Sequence, residues 1–215
     1  GNAVIVKKIA LPVMTEAELD ESIQWEAEQY IPFDIQDVNL DYQILTPVAQ
    51  RQGTMEVLLV AAKKDKIADY TGVVSAVGRH PVVVDVDAFA LQNCYEVNYQ
   101  PRAGEIVALL NIGAATMNIN ILNGTRSIFA RDASVGGSQY TSLLQKELGL
   151  SFEQAEAVKR GMALPEGVEP RPIQPIIETV SETLALEVKK TVDFYRATAQ
   201  ENEAAIQKIL LAGGG

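Results

Sequence analysis

"LLNIGAATMNINILNG", residues 109–124, decides how the second half of the chain folds. Met117, Ile119 and Ile121 alternate with Asn118, Asn120 and Leu122, the period of a strand with one face turned inward. Asn123-Gly124 is a strong hairpin signal, because a type I′ turn needs φ > 0 at both central positions. Upstream, Ile106 to Leu110 is an unbroken apolar run that ends at Asn111-Ile112-Gly113-Ala114-Ala115-Thr116. A turn built of such small residues is an ordinary hairpin connection. It also exposes backbone N–H groups, which in a tight turn form a concavity for an anion. On these residues alone both readings stand.

Working outward, 105–110, 116–122 and 125–131 make three successive strands, and Gly136-Gly137 leads into a helix from Ser138 to Glu147. Ser151 caps a further helix that Gly161 ends. The proline-bearing stretch 161–175 reads as an exposed loop. A long helix over about 172–200 follows, with Ile177, Val180, Leu184, Val188, Val192 and Tyr195 near helical spacing. "QKILLAGGG" is a strand running into a glycine turn.

The first half has a different rhythm. VIVKKI (4–9) is a strand. Thr15 and Glu18 form a capping box for a helix with Leu19, Ile23, Ala27 and Tyr30 on one face, and Pro32 bars its continuation. VNLDYQIL alternates perfectly, and TMEVLLVAAK is the next strand after a turn over Pro47–Gly53. Asp65 is expected to cap a helix carrying Ile67, Tyr70, Val74 and Val77. PVVVDVD (81–87) is expected to be a buried strand, and Ala88–Val97 a helix. The polar NYQPRAGE suggests a lobe boundary.

The chain has 215 residues, 47% hydrophobic and 21% charged, and a net charge of −10. A chain this acidic is a poor candidate for binding nucleic acid or an anionic membrane through a basic patch. No run of about twenty apolar residues spans a bilayer, and no signal-peptide pattern opens the sequence. The one cysteine, Cys94, has no internal disulfide partner, which fits a reducing compartment; it is expected to be a buried structural thiol. With His80 alone and no CxxC, neither a zinc site nor a Ser-His-Asp triad has the residues it needs. No catalytic residue and no metal ligand is assigned. Gly1-Asn2 precedes a strand directly and Gly213–Gly215 follows one, so the expectation is a piece of a longer protein.

Residues 4–45, and above all WEAEQYIPFDI (Trp25–Ile35), resemble the PilM family of type IV pilus assembly proteins, which is related to FtsA. VALLNIGAATMNINIL followed by FARDASVGG lies where this superfamily places its second phosphate-binding hairpin, and ILLAGGG where a glycine turn meets adenosine. The resemblance implies a mixed α/β, actin-like (ribonuclease H-like) ATPase fold, incomplete at both ends. Its parts would be an inserted strand-helix-strand-strand subdomain at 1–80, a strand and linking helix of the first lobe at 81–100, and a second, nucleotide-cleft lobe at 101–215. It implies ATP in the interlobe cleft, with Asn111, Gly113, Ala114, Ala115, Thr116, Gly136, Gly137, Gly213, Gly214 and Gly215 around the phosphates and nucleoside. Glu187 and Lys190 would face the base or ribose, although on a charged helix such residues are ordinarily surface groups.

The family usually has aspartate where this chain has Asn111. Asparagine keeps the hydrogen-bonding shape without the charge that would bind Mg²⁺-bound water. The resemblance therefore implies an ATP-binding scaffold with weak or absent hydrolysis, and ATP and Mg²⁺ held well only by the full-length protein. It further implies a cytoplasmic protein peripheral to the inner membrane. The implied partner is the N-terminal peptide of PilN, bound near Tyr30, Ile31, Pro32 and Phe33. Through PilN the protein would reach the PilN–PilO membrane platform and, indirectly, the motor ATPases. Ile31 and Phe33 serve equally well as plugs of the core. Alternatives are an FtsA-like polymerising division protein and a small-molecule kinase of the same superfamily. A kinase needs a carboxylate base and well-placed Mg²⁺, against which Asn111 argues.

Overall fold

The computed structural model describes residues 3–46, 53–162, 164, 167, 169–198 and 205–214. The expected turn over 47–53 falls almost wholly outside them. The chain divides into two compact units, Gly1–Val84 and Asp85–Gly215. That boundary divides the 81–100 segment and places its helix in the second unit.

In the first unit β1 (Val4–Pro12), β2 (Val38–Ile44) and β3 (Thr54–Lys63) form an antiparallel sheet in the order β1-β3-β2. Helix α1 (Glu16–Glu28) covers one face. Thr15 starts it as expected: its hydroxyl accepts from the Glu18 N–H, and the Glu18 carboxylate accepts from the Thr15 N–H at 2.7 Å. Leu19, Ile23 and Ala27, four residues apart, meet Ile9, Leu11, Val57 and Leu59 in the core. The Tyr42 hydroxyl donates to Asp20 at 2.6 Å, tying β2 to α1. That bond pushes the tyrosine pKa up to about 12.

Two expectations for this region need correction. Helix α2 (Lys64–Ala76) starts after Lys63 with no side-chain cap, so Asp65 lies in its first turn, where it accepts from the Lys66 N–H. Of its apolar face, Ile67 and Val74 are half-buried, whereas Tyr70 and Val77 are exposed. PVVVDVD is not a strand among the described residues, and Val82 is 88% exposed. An apolar, β-branched run favours extended backbone, but a strand also needs a neighbour to pair with.

In the second unit β4 (Ile106–Ile112), β5 (Met117–Asn123), β6 (Arg126–Ala133) and β7 (Lys208–Gly213) lie in the order β6-β5-β4-β7, with β7 parallel to β4 and the others antiparallel. Both faces are covered. Helix α3 (Asp87–Tyr99) packs Tyr95 on Val107, Leu109 and Leu122. Helix α6 (Ile173–Thr198) packs Tyr195 on the other face with Ala108, Leu110, Ile119 and Ile121. Double coverage explains why Ile106–Leu110 is an unbroken apolar run. Helices α4 (Ser138–Leu148) and α5 (Phe152–Lys159) close a further cluster with α6 through Leu144, Ala155 and Ile176.

The β5–β6 hairpin is present, but its turn is displaced by one residue. Asn123 pairs with Arg126, leaving Gly124-Thr125 as the connection. Gly124 has φ +60, and neither Asn123 nor Thr125 has positive φ. This is the glycine-first pattern of a type II′ turn rather than I′. Asn120, polar in an alternating strand, is only 1% exposed. Its amide donates to the Ala88 carbonyl and the Gln92 side chain, and its oxygen accepts from the Ser127 hydroxyl at 2.7 Å. Cys94, by contrast, is exposed rather than buried.

Asn120→Ala leaves the Ser127 hydroxyl and the Ala88 carbonyl without this partner under α3. It is expected to cost about 1–3 kcal/mol in urea unfolding, whereas a neutral result would remove Asn120 as the fixing point of α3. Lys208 donates to Glu105 at 2.7 Å, joining the start of β7 to that of β4. That bond, helped by the Arg102 N–H, holds the Glu105 carboxyl below its ordinary pKa. A carboxyl lowered by folding stabilises above its unfolded pKa and stops doing so as pH falls through the folded one. Glu105→Gln should therefore lower Tm near neutral pH, and the difference from the wild type should close below the carboxylate range. A difference that persists in acid would contradict this.

Candidate functional site

The turn between β4 and β5 is enclosed on two sides by backbone. The Gly113 N–H donates to the Thr116 carbonyl at 2.9 Å, closing the turn on itself. The Gly113 carbonyl then accepts from the Gly137 N–H at 2.9 Å, and the Ala114 carbonyl from the Ser138 N–H at 2.8 Å. The start of α4 is thus bonded to the turn. A Cβ at Gly136 would lie 2.4 Å from the Gly113 oxygen and 2.6 Å from that of Ala114. Gly213, with φ +102, lies against Ile112 so closely that a Cβ would be 2.1 Å from its carbonyl oxygen.

These contacts assign the expected residues to different tasks. Gly136 and Gly213 have backbone-packing roles, and the Gly137 N–H is spent on the Gly113 carbonyl. The Gly113 N–H is spent inside the turn. The N–H groups of Ala114 and Ala115, both exposed, meet no acceptor among the described residues, and Thr116 is half-buried beside them. Asn111 ends β4 next to the turn. Its amide donates to Asn118 at 3.0 Å, and the Asn118 amide donates to Asp132 at 2.8 Å, a polar row across three strands. Gly214 is exposed, and Gly215 lies outside the described residues.

Glu187 and Lys190 engage each other. Lys190 donates to Glu187 at 2.6 Å, and the Arg131 guanidinium stands 3.6 Å from the second carboxylate oxygen while donating to Thr191. The Lys190 bond, with the charges of Lys190 and Arg131, holds the Glu187 carboxyl below its ordinary pKa. No group of three or more His, Cys, Asp or Glu side chains among the described residues is arranged to hold a metal ion.

In the first unit the segment after α1 divides its labour. Ile31 is 6% exposed and plugs the core. Pro32 is exposed, and Tyr30 and Phe33 are half-buried. The Lys7 ammonium lies 4.9 Å from the centre of the Tyr30 ring, and that of Lys63 4.4 Å from the Phe33 ring. Phe33 also borders a surface pocket of about 370 Å³ lined by Asp34, Asp37, Lys63, Lys64 and Asp65. That pocket had no sequence signature, since its lining comes from the segment before β2 and from the junction of β3 with α2, which meet only when the two strands pair.

Comparison with known proteins first gives the class. MreB5 of Spiroplasma citri bound to ADP matches 71% of this chain and 54% of its own at 12% identity, with a TM-score of 0.52. At that identity the likeness shows the fold alone, and the fold is actin-like. The particular family follows from the sequence: residues 1–215 match the type IV pilus assembly protein PilM family, and the chain belongs to it. A solved PilM–PilN type IV pilus biogenesis complex is similar at 28% identity and TM-score 0.79, covering 99% of this chain and 60% of that one. The chain thus spans less than two thirds of that relative's length. No helix among the described residues is long and apolar enough to cross a membrane.

Gly136→Ala and Gly213→Ala are each expected to cost about 3 kcal/mol or more, because the new methyl meets backbone that cannot yield. Gly149→Ala, at positive φ like Gly213 but facing open space, should cost about 1–2 kcal/mol. A loss at Gly213 no larger than that at Gly149 in chemical denaturation would show that backbone conformation, not close approach, fixes Gly213, and a neutral Gly136→Ala would remove close approach at Gly136.

Proposed function

We propose that this chain is the peptide-binding and phosphate-facing part of a pilus-assembly scaffold, with PilN as its membrane partner and ATP as a regulatory ligand that is hydrolysed weakly or not at all. The observation that carries the reading is the family match over 1–215, joined to the likeness to a PilM–PilN complex over nearly the whole chain. The protein would then reach the inner membrane from the cytoplasm through PilN. The N-terminal segment of PilN would dock by Tyr30 and Phe33, which keep part of their rings accessible, while Ile31 supports them from the core.

The turn fits a phosphate group in a limited way. The Ala114 and Ala115 N–H groups and the Thr116 hydroxyl are its donors, and the close packing at Gly136 and Gly213 keeps them in place without a ligand. ATP supplies the anion. Any Mg²⁺ would be held by phosphate oxygens and water, since Asn111 brings no charge and its amide is engaged by Asn118. A neutral residue at that position supports binding in preference to turnover.

Titration of the full-length protein with the PilN N-terminal peptide, with and without ATP, tests the reading. Binding in the micromolar range or tighter is expected, and an effect of ATP on it would measure the coupling between the two ligands. Tyr30→Ala or Phe33→Ala should weaken binding by about 1–2 kcal/mol. No binding in either condition would overturn the PilN assignment.

A further inference from the structure

Asn111, Asn118 and Asp132 stand directly opposite one another on β4, β5 and β6. Side chains alternate across a strand, so Asn111 shares the sheet face of Val107 and Leu109, on which α3 packs. On that face Asn120 meets the Ala88 carbonyl at the start of α3. The row lies two residues beyond Asn120, towards the β4–β5 turn, and there Asn111 and Asn118 are half-buried. Asn111 is two residues before Gly113, at the foot of the turn.

The row has a direction, and its chemistry fixes that direction from one end. An ionised carboxylate has no proton to give, so Asp132 only accepts. Asn118 therefore turns its amide nitrogen to Asp132, at 2.8 Å. Its Oδ1 is left on the other side, where it accepts from the Asn111 amide at 3.0 Å. Asn111 has then spent its nitrogen on Asn118, and its own Oδ1 is directed away. That oxygen accepts no hydrogen bond among the described residues. No buried side-chain nitrogen or oxygen among them lacks a partner, so the Asn111 Oδ1 is reached by solvent. With a neutral amide in place of Asp132, both asparagines can turn over together without losing a bond, and Asn111 then shows its N–H₂ outward. The two ends are not equivalent beside an anion. An outward N–H₂ donates to a phosphate oxygen, whereas an outward oxygen repels one and accepts from a water.

We propose that Asp132 is a positioning residue for the turn: acting through Asn118, it holds Asn111 with its carbonyl oxygen outward, so that the turn takes a phosphate that brings hydrogen-bond donors, the water shell of Mg²⁺, in preference to bare ATP. This rests on the nucleotide-binding reading above and says which form of the nucleotide is selected. Asp132 itself need touch no ligand. Its part is to be the one member of the row that cannot donate, and the two amides carry that constraint across the sheet to the foot of the turn. The Ala114 and Ala115 N–H groups remain the donors to the anion, and Asn111 supplies the acceptor beside them.

The test compares the full-length protein with its Asp132→Asn and Asn118→Ala variants, each titrated with ATP in Mg²⁺ and in EDTA. The wild type is expected to bind ATP about fivefold or more tightly with Mg²⁺ than without it. Both variants should bring the two affinities together. Asn118→Ala keeps the charge of Asp132 and cuts only its link to Asn111. A preference for Mg²⁺ lost in Asp132→Asn but kept in Asn118→Ala is thus a plain charge effect and overturns the positioning role. A second readout needs no ligand: hydrogen exchange of the Asn111 side-chain amide in ¹⁵N-asparagine-labelled protein, which should quicken in both variants. ATP that binds the wild type equally well with and without Mg²⁺, or an Asn111 amide that exchanges alike in all three proteins, overturns the proposal and leaves ATP binding intact. ATP that binds in neither condition overturns both.

Discussion

Close contact between backbones at Gly113, Gly136 and Gly213 is the constraint on which the second unit depends. Three elements distant in sequence meet there: the β4–β5 turn, the start of α4 and the end of β7. Each can approach only because a side chain is missing, and the hydrogen bonds from Gly137 and Ser138 to the turn carbonyls depend on that approach. Removing a Cβ has an entropic cost in the unfolded chain, and the second unit bears it where the turn must be fixed most firmly. The turn is left with its carbonyls occupied and the N–H groups of Ala114 and Ala115 facing outward. A donor set held in place before any anion arrives needs no reorganisation to bind one.

The first unit is held in another way. There α1 covers one face of the sheet with Leu19, Ile23 and Ala27, and the Tyr42 hydroxyl ties β2 to that helix through Asp20. Side chains rather than missing side chains set the approach of its elements.

Much of this was legible in the residues. The Thr15–Glu18 capping box, the alternation in 38–44 and the apolar run 106–110 each imply one local structure, and the chain adopts it. Residues whose state depends on a distant neighbour were harder to read. Asn120 looks solvent-facing until α3 covers it. PVVVDVD has the composition of a buried strand but no pairing partner among the described residues. Asn123-Gly124 signals a hairpin correctly, yet the Asn123–Arg126 pairing displaces its turn by one residue. At the candidate site the glycines stood out in the sequence, but not that Gly136 and Gly213 serve packing while Ala114 and Ala115 supply the outward donors. Glu187 and Lys190 were recognisable as charged helix residues, and their bond to each other with Arg131 nearby accounts for them without a ligand.

The central claim is that the turn at 113–116 is a preorganised seat for phosphate. The most direct measurement follows the amide resonances of Ala114 and Ala115 in ¹⁵N-alanine-labelled full-length protein as ATP is added. The account predicts saturable shifts at both residues, with the Gly113 N–H retained in its bond to Thr116. ATP that binds without moving either alanine resonance, or that fails to bind, would contradict it.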